Sequence, residues 1–202
     1  MFKGIIEDIG TIIGIDHSKE RDTKVFIKPH NTSFLSKIQL GSSVACSGIC
    51  LSVVQLHNEY FSADISQATL SVTNTTYWEK GTKINLELPL KMNDRLDGHF
   101  VQGHVDSTGV ITTITHINSS HNIIFQIQEP LLKYIIIKGS ISINGVSLTV
   151  NTIVDNTFSV NIIPYTWNNT IFQYSKVNDI VNIEVDMIAK HIEKLYQYNS
   201  IL

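Results

Sequence analysis

Short runs of alternating hydrophobic and polar residues occupy much of the 202-residue chain, and such alternation is typical of half-buried β-strands. Gly, Asn or Asp residues separate the runs, which lie at 44–46, 50–54, 60–63, 83–88, 140–143, 147–150, 157–160 and 180–185. Helical turns are predicted near residues 31–36 and 129–134. Because no helix lies between the runs at the spacing of parallel strands, about six strands in each half favour small antiparallel barrels.

The periodicity changes after Asp186. From there, hydrophobic residues recur at helical spacing, at Ile188, Ile192, Leu195 and Tyr196. We therefore expect an amphipathic helix that packs against its own barrel or against a neighbouring subunit, and we favour the neighbour. Asp186 could cap this helix or supply a carboxylate to a pocket, and the two roles are compatible.

The two halves of the sequence resemble each other. Position n matches position n + 97 over a long stretch, as at Gly48 and Gly145, and near the start the offset becomes 99, as at Gly4 and Gly103. A repeat of this size exceeds the roughly 20–50 residues of a solenoid unit and corresponds to a small domain. We therefore predict two tandem barrels, at residues 1–97 and 98–186, with a polar linker at 89–98 and a helix at 187–202.

Composition places the chain among globular proteins and narrows its partners. Hydrophobic residues make up 43% and charged residues 16%, and the net charge of −3 without a basic run argues against a nucleic-acid partner. Acidic residues lie near the N-terminus where a signal peptide would be apolar, and no run approaches the roughly 20 apolar residues of a membrane span. The sequence therefore predicts a cytoplasmic protein without a membrane segment.

Two cysteines bear on redox state and on metal binding. If Cys46 and Cys50 share a strand, they lie about 13 Å apart on one face, beyond the roughly 7 Å between Cα atoms that a disulfide tolerates. Both are therefore predicted to be free thiols. A zinc site that adds His99 and His104 is disfavoured, because 48 residues separate the two pairs and a zinc finger has about a dozen.

Polar positions that differ between the two copies are candidates for chemistry. Cys50 corresponds to Ser147, so a thiol in one copy takes the place of a hydroxyl in the other, and His104 corresponds to Ile5. A free cysteine is often only a small buried hydrophobic residue, and this alternative stays open for Cys50. A histidine beside a glycine at the mouth of a barrel is suited to hydrogen bonding or proton transfer.

Four motifs, in the order found in one enzyme family, extend over the whole chain. They are MFKGIIE at residues 1–7, GHFVQGHVD at 98–106, INGVSLTV at 143–150 and IPYT at 163–166. With these motifs and the duplication, the chain resembles the riboflavin synthases. The resemblance implies two six-stranded Greek-key barrels and a C-terminal helix that assembles a homotrimer, with an active site between the N-terminal barrel of one subunit and the C-terminal barrel of another.

The resemblance also implies a reaction. Members of this family transfer a four-carbon unit between two molecules of 6,7-dimethyl-8-ribityllumazine and release riboflavin and 5-amino-6-ribitylaminouracil, without cofactor or metal. An association with lumazine synthase is a further expectation. Non-enzymatic antenna proteins that bind lumazines or flavins resemble this family as well, and they are the alternative class.

Candidate site residues follow by the same resemblance. Catalytic roles are expected for Cys50, Ser147, His104 and Asp186. Substrate contacts of the first barrel are expected at Gly4, Ile5, Ile6, Ser43, Cys50, Leu51, Ser52, Asp64, Ile65, Ser66, Gln67, Ala68 and Thr69. Those of the second barrel are expected at Gly103, His104, Val105, Lys138, Ser147, Leu148, Thr149, Asn161, Ile162, Ile163, Pro164, Tyr165 and Thr166. Much of this contact should be made by the backbone, so side chains can differ between the copies.

Overall fold

The computed structural model describes residues 1–17 and 22–199. Within these ranges the chain forms two closed six-stranded antiparallel β-barrels, followed by a C-terminal α-helix. This architecture confirms the predicted fold class. The last three residues of the segment 187–202, which we assigned to the helix, lie outside the described residues.

The first barrel is a Greek key. Its strands are β1 (Asp8–Asp16), β2 (Thr23–Pro29), β3 (Ser43–Cys46), β4 (Ile49–Leu56), β5 (Phe61–Ile65) and β6 (Lys83–Glu87). Hydrogen-bonded neighbours follow the ring order β1-β2-β5-β4-β3-β6, and β6 closes the ring on β1. Strands β3, β4 and β5 are consecutive, whereas β6 returns to lie beside β3, which is the Greek-key connection.

The second barrel repeats this topology. Its strands are β7 (Ser107–Ile117), β8 (Ser120–Gln126), β9 (Ser140–Ile143), β10 (Val146–Val154), β11 (Thr157–Ile162) and β12 (Ile180–Val185). The ring order β7-β8-β11-β10-β9-β12 is that of the first barrel strand for strand. The duplication in the sequence is therefore a duplication of the fold.

Short helical segments connect the strands at matching places in the two barrels. The 3-10 turns are Thr32–Lys37, Asn74–Tyr77, Glu129–Tyr134 and Ile171–Tyr174, and they confirm the turns predicted near 31–36 and 129–134. The short α-helices are α1 (Gln67–Val72) and α2 (Pro164–Asn168). Ser66 caps α1 with its side chain, and Pro164 begins α2, where the N–H that proline lacks has no helical partner.

Alternation along β6 builds both a core and a contact between the barrels. Ile84 and Leu86 are fully buried inside the first barrel, whereas Asn85 and Glu87 point to the other face and are buried outside it. The equivalent strand β12 repeats this pattern. Each closing strand therefore carries an apolar face for its own barrel and a polar face for the inter-barrel contact.

Two asparagines join the barrels. Asn85 Nδ2 donates to the Asn144 carbonyl at 2.8 Å, and Asn85 Oδ1 accepts the Ile171 N–H at 2.8 Å. The equivalent bonds, 97 positions away, are those of Asn182 with the carbonyl of Ser47 at 2.9 Å and the N–H of Asn74 at 2.7 Å. Buried amides satisfied at both ends fix one relative placement of the two barrels, because any other placement would leave these polar groups unpaired.

The C-terminal helix α3 (Met187–Asn199) follows β12 directly. Asp186 caps this helix, because its Oδ1 accepts the Ile188 N–H at 2.9 Å. This confirms the capping role that the sequence predicted for Asp186. Within the described part of the chain, no helix is both long enough and apolar enough to cross a membrane.

The two sides of α3 differ. Its polar side is held on the second barrel by the Lys190–Asp106 ion pair at 2.9 Å and by bonds of Glu193 to nearby side chains, Lys133 and Tyr134. Its apolar stripe lies largely outside that contact, with Ile188, Ile192 and Leu195 exposed by 57%, 61% and 66%. The sequence analysis considered packing of this helix against its own barrel or against a neighbouring subunit. Both are possible together, because the polar side contacts the helix's own barrel and the apolar stripe is exposed.

The cysteine geometry considered from the sequence is wrong. Cys46 ends β3 and Cys50 lies in β4, so they occupy different strands of one hairpin and not one strand. In that hairpin Cys46 pairs with Ile49, and Ala45 pairs with Cys50. The two side chains therefore point to opposite faces, and both cysteines are free as predicted.

Candidate functional site

The segment before β1 crosses to the second barrel. The Gly4 carbonyl accepts the Ser147 N–H at 2.8 Å, and Ile6 packs against the core of the second barrel. We expected Gly4, Ile5 and Ile6 to lie with Cys50 on the first barrel, and this grouping is wrong. The segment precedes the first strand of its barrel, so its backbone is able to pair with the neighbouring barrel instead.

The segment between the barrels crosses in the opposite direction. The Gly103 carbonyl accepts the Cys50 N–H at 2.9 Å, and Val105 packs against the core of the first barrel. Gly103, His104 and Val105 therefore lie with Cys50 and not, as expected, with Ser147. Each candidate site combines one barrel with the segment that precedes the other barrel.

A short antiparallel bridge fixes this exchange. The Phe2 N–H donates to the Val101 carbonyl at 2.7 Å, and the Val101 N–H donates back at 3.1 Å. Both side chains are fully buried in a small cluster between the barrels. The two segments cross at this bridge. Residues 4–6, which follow Phe2, contact the second barrel, and residues 103–105, which follow Val101, contact the first barrel.

Glycine is required where each crossing segment meets a site strand. Gly4 and Gly103 have φ angles of +75° and +81°. A Cβ atom on Gly4 would lie 2.6 Å from Ser147 Cβ, and one on Gly103 would lie 2.6 Å from Cys50 Cβ. Any other residue would therefore be strained in its backbone and would push the segment off the strand.

We call the first of these places the Cys50 half-site. It comprises the expected contact residues of the first barrel together with the crossing segment, namely Ser43, Cys50, Leu51, Ser52, Asp64, Ile65, Ser66, Gln67, Ala68, Thr69, Gly103, His104 and Val105. Cys50 is half-buried, and Ser43 pairs with Ser52 across β3 and β4. Leu51 and Ile65 have buried core side chains, so they can offer a ligand only backbone atoms.

We call the second place the Ser147 half-site. It comprises Gly4, Ile5, Ile6, Ser147, Leu148, Thr149, Asn161, Ile162, Ile163, Pro164, Tyr165 and Thr166. Tyr165 and Ile163 are exposed by 75% and 53%, whereas Leu148 and Ile162 are core residues. Lys138 is exposed and its N–H donates to the carbonyl of Val150, near the far end of the β9–β10 pair, so its contact with a ligand stays a prediction.

A serine and a histidine are hydrogen-bonded in the Ser147 half-site. His99 Nδ1 lies 2.7 Å from Ser147 Oγ, and the His99 side chain is buried. Burial lowers the pKa of His99, and the Asp186 carboxylate opposes this shift. The imidazole is therefore mainly neutral at pH 7, and a neutral imidazole can accept a proton through the serine hydroxyl.

His99 is a candidate site residue that sequence reasoning missed, since we named it only in the disfavoured zinc site and expected the proton-transfer role at His104. Its partner is 48 positions away, and no local pattern marks the pair. His104, by contrast, was expected in the site and is exposed at the Cys50 half-site, where its N–H donates to Glu184 at 3.1 Å. No group of three or more His, Cys, Asp or Glu side chains suited to a metal occurs in the described ranges.

A cleft of about 490 Å³ lies elsewhere, between the two barrels. Its walls include Tyr77, Trp78 and Tyr174, and it contains none of the expected site residues. We assign the candidate site to the two half-sites, because the thiol and the serine–histidine pair lie there.

The comparisons with known proteins agree with this description. Residues 3–89 and 102–186 each match the family described as the lumazine binding domain. Fold and sites therefore define a protein with two lumazine-binding domains.

Named relatives narrow this class. The chain is 38% identical over 192 residues to riboflavin synthase of Bacillus amyloliquefaciens, which covers 95% of this chain and 88% of the relative. It is 36% identical over 205 residues to riboflavin synthase of Brucella abortus, which covers 99% of this chain and 100% of the relative. The chain thus belongs to the riboflavin synthase family and is a transferase.

Solved structures show the same fold. A crystal structure of LumP complexed with riboflavin superposes with a TM-score of 0.85 at 25% identity, covering 92% of this chain and 99% of that one. LumP complexed with 6,7-dimethyl-8-(1'-D-ribityl) lumazine gives a TM-score of 0.83 at 24% identity, with the same coverage.

Proposed function

We propose that this protein converts two molecules of 6,7-dimethyl-8-ribityllumazine into riboflavin and 5-amino-6-ribitylaminouracil. A four-carbon unit passes from one lumazine to the other, so the atoms of two substrates are redistributed between two products. The observation that carries this proposal is the pair of half-sites, which share one backbone frame but present a thiol in one and a serine–histidine pair in the other. The named relatives support the same activity.

The duplication suits a reaction between two identical molecules. Both half-sites must bind the same heterocycle, which a shared backbone frame can do, and they must then treat the two molecules differently. Holding donor and acceptor face to face can supply about 7–11 kcal/mol of the barrier through proximity and orientation. Residues that differ between the copies therefore carry the distinction between donor and acceptor.

The chemistry assigns a role to each half-site. The 7-methyl group of the lumazine is its acidic carbon, so a base has to remove a proton there, directly or through water. The neutral His99, bonded to Ser147 and close to Asp186, is such a base. In the other half-site, the Cys50 thiol or a water beside it is suited to add at C7 of the partner molecule, with His104 as a proton-transfer or orienting group.

The complete site forms between subunits in this proposal. The Cys50 half-site of one subunit faces the Ser147 half-site of another within a homotrimer, and the apolar stripe of α3 supplies the contact that holds the subunits together. The metal-free and cofactor-free reaction, the cytoplasmic location and the association with lumazine synthase stay predictions.

The direct test is to mix the purified protein with 6,7-dimethyl-8-ribityllumazine and follow riboflavin absorbance. We expect many riboflavin molecules per protein chain, with one riboflavin formed for every two lumazines consumed. No riboflavin beyond one molecule per chain would overturn the proposed reaction.

A second function is favoured by one specific observation, the close structural similarity to LumP. A non-enzymatic lumazine- or flavin-binding protein would bind the ligand and shift its fluorescence without turnover. The riboflavin assay separates the two functions. The retained thiol and serine–histidine pair favour the enzyme, because a binder does not need them.

Replacing His99 by glutamine is expected to lower turnover by about 100-fold, the lower end of the range for a general base, because the base bonded to Ser147 is lost. Lumazine affinity should change far less, since the backbone frame of the half-site remains. Riboflavin formation and a fluorescence titration of lumazine measure the two quantities. The control is His30→Gln on an exposed histidine outside both half-sites; equal turnover in the two variants would contradict the role of His99.

A further inference from the structure

Two buried glutamates, one in each barrel, bind the crossing segments. Glu87, only 1% exposed, accepts the Lys3 N–H at 2.8 Å with Oε1 and the Gly4 N–H at 3.1 Å with each of its oxygens. Glu184, 2% exposed, accepts the N–H groups of the other crossing segment, from Gln102 at 2.6 Å, Gly103 at 2.9 Å and His104 at 3.1 Å. Charge-assisted bonds of this kind are roughly twice as strong as neutral ones.

Each glutamate is linked through its segment to the reactive strand of the opposite barrel. Gly4 gives its N–H to Glu87 and its carbonyl to the Ser147 N–H, and Gly103 gives its N–H to Glu184 and its carbonyl to the Cys50 N–H. The positive φ angles of both glycines set these opposite directions of N–H and C=O. Movement of the segment would therefore shift the backbone beside each reactive side chain.

Neither glutamate belongs to the substrate contacts expected from the sequence. Both lie on the polar faces of β6 and β12, and the sequence shows them only as matching members of the repeat, Asn85-Leu86-Glu87 and Asn182-Ile183-Glu184. We propose that Glu87 and Glu184 are positioning residues of the two half-sites: as carboxylates they hold Gly4 and Gly103 in the orientation that the substrate pockets require. This inference rests on the proposed function.

The protonation state of Glu87 matters in the neutral range. Burial raises the pKa of Glu87 to about 7, although the N–H donors of Lys3, Ile5 and Gly4 lower it, and the nearby Glu7 carboxylate raises it further. A protonated carboxyl group would offer a hydrogen to a place where N–H donors already converge. The hold on Gly4 should therefore weaken as the pH falls through about 7.

Glu184 has different neighbours. Burial raises its pKa, whereas the N–H groups of Gln102 and Gly103 and the ammonium of Lys190 lower it, and the Asp106 carboxylate raises it. Lys190 is itself paired with Asp106. Because the Lys190 ammonium lowers the pKa of Glu184, whereas the Glu7 carboxylate raises that of Glu87, we expect the Ser147 half-site to lose its bound carboxylate at a higher pH than the Cys50 half-site does.

Stability and activity should respond to pH with opposite signs. The pKa of Glu87 is higher in the folded chain than the ordinary 4.5, so between about 4.5 and 7 the folded state binds more protons than the unfolded state. The contribution of Glu87 to stability is therefore fully present below about pH 4.5 and is lost as the pH rises through about 7. Turnover should rise over the same range, because the carboxylate that holds Gly4 is then formed.

The test is Glu87→Gln, which keeps the shape of the side chain and removes its charge. We expect turnover at pH 8 to fall about 10-fold to 100-fold, the magnitude of a small misplacement of reacting groups. The wild-type rise in turnover near pH 7 should disappear from the variant. Its melting temperature at pH 8 should equal or exceed that of the wild type, because a buried charge has been removed. Glu184→Gln applies the same test to the Cys50 half-site.

Glu79→Gln, on an exposed carboxylate far from both segments in the sequence, is the matched control and should leave turnover unchanged. A Glu87→Gln variant with the wild-type pH profile, or one whose lost turnover follows a lower melting temperature at pH 8, overturns the proposal. If the wild-type protein forms no riboflavin, the proposed function is contradicted instead. In that case a lumazine titration at pH 6 and pH 8 still tests the glutamates, because tighter binding at pH 8 should occur in the wild type and not in Glu87→Gln.

Discussion

Replacing Cys50 by alanine is expected to lower lumazine turnover by about 100-fold to 10,000-fold, the range in which a positioned reactive group contributes. The fold should survive, because Cys50 is only half-buried and its structural bond to Gly103 is made by the backbone. Riboflavin formation measures the loss, and the melting temperature should change by no more than about 2 °C.

The second cysteine is the matched control. Cys46 is completely buried in the core of the first barrel, and burial strongly raises the pKa of its thiol. Cys46→Ala should therefore lower the melting temperature and leave turnover per folded protein unchanged. Wild-type turnover in Cys50→Ala would show that the thiol serves only for packing. Cys50→Ser adds a further arm, since it places in the first copy the hydroxyl that the second copy carries at Ser147.

The barrels could be predicted from the sequence because the information for them is local. Alternation at period two marks the strands, and the hairpin turns lie at Ser47-Gly48 and Asn144-Gly145. All four residues have positive φ angles, which suit Gly and Asn and are less usual for Ser47. Because the sequence is duplicated, the same pattern of strands and turns occurs twice and each copy supports the assignment of the other. Agreement between the copies therefore sufficed for the fold class.

The exchange of segments could not be predicted in this way. Gly4 and Gly103 are recognisable as glycines that need a special backbone, but nothing near them in the sequence says which barrel receives each segment. The choice is made by long-range groups: the Phe2–Val101 bridge and the buried carboxylate of Glu87. The change of offset from 97 to 99 falls close to these segments, and it was the one signal that they differ from the rest of the repeat.

The pairing of His99 with Ser147 could not be predicted either, because the two residues are 48 positions apart in the sequence. The two glutamates, in contrast, occupy matching positions of the repeat, and the sequence analysis did not interpret them. A carboxylate that recurs at one position of both closing strands, with apolar residues on either side, has to be paired or solvated. In this fold each of these carboxylates accepts backbone N–H groups of a crossing segment, and Glu184 also lies near the ammonium of Lys190. Repeated charge within a strand was thus evidence for a contact between the copies.

Deleting α3 from Ile188 onward is expected to give monomers whose turnover is reduced more than about 100-fold. The truncated chain loses the stripe of Ile188, Ile192 and Leu195, and burial of each such side chain against a neighbour contributes about 1.5–3 kcal/mol. Each half-site stays intact within one chain, so lumazine should still bind. Donor and acceptor are no longer held together, and the advantage of proximity is lost. Light scattering measures the assembly state, and riboflavin formation measures turnover.

A single substitution separates the loss of assembly from the loss of the ion pairs that hold α3 on its own barrel. Ile192→Lys places a charge in the stripe and leaves the Lys190–Asp106 pair intact, so it should reproduce the monomer and its low turnover. Lys194→Ala, on the opposite side of the helix, should behave as the wild type. A monomer that forms riboflavin at the full rate would contradict a site shared between subunits, because both half-sites would then have to meet within one chain.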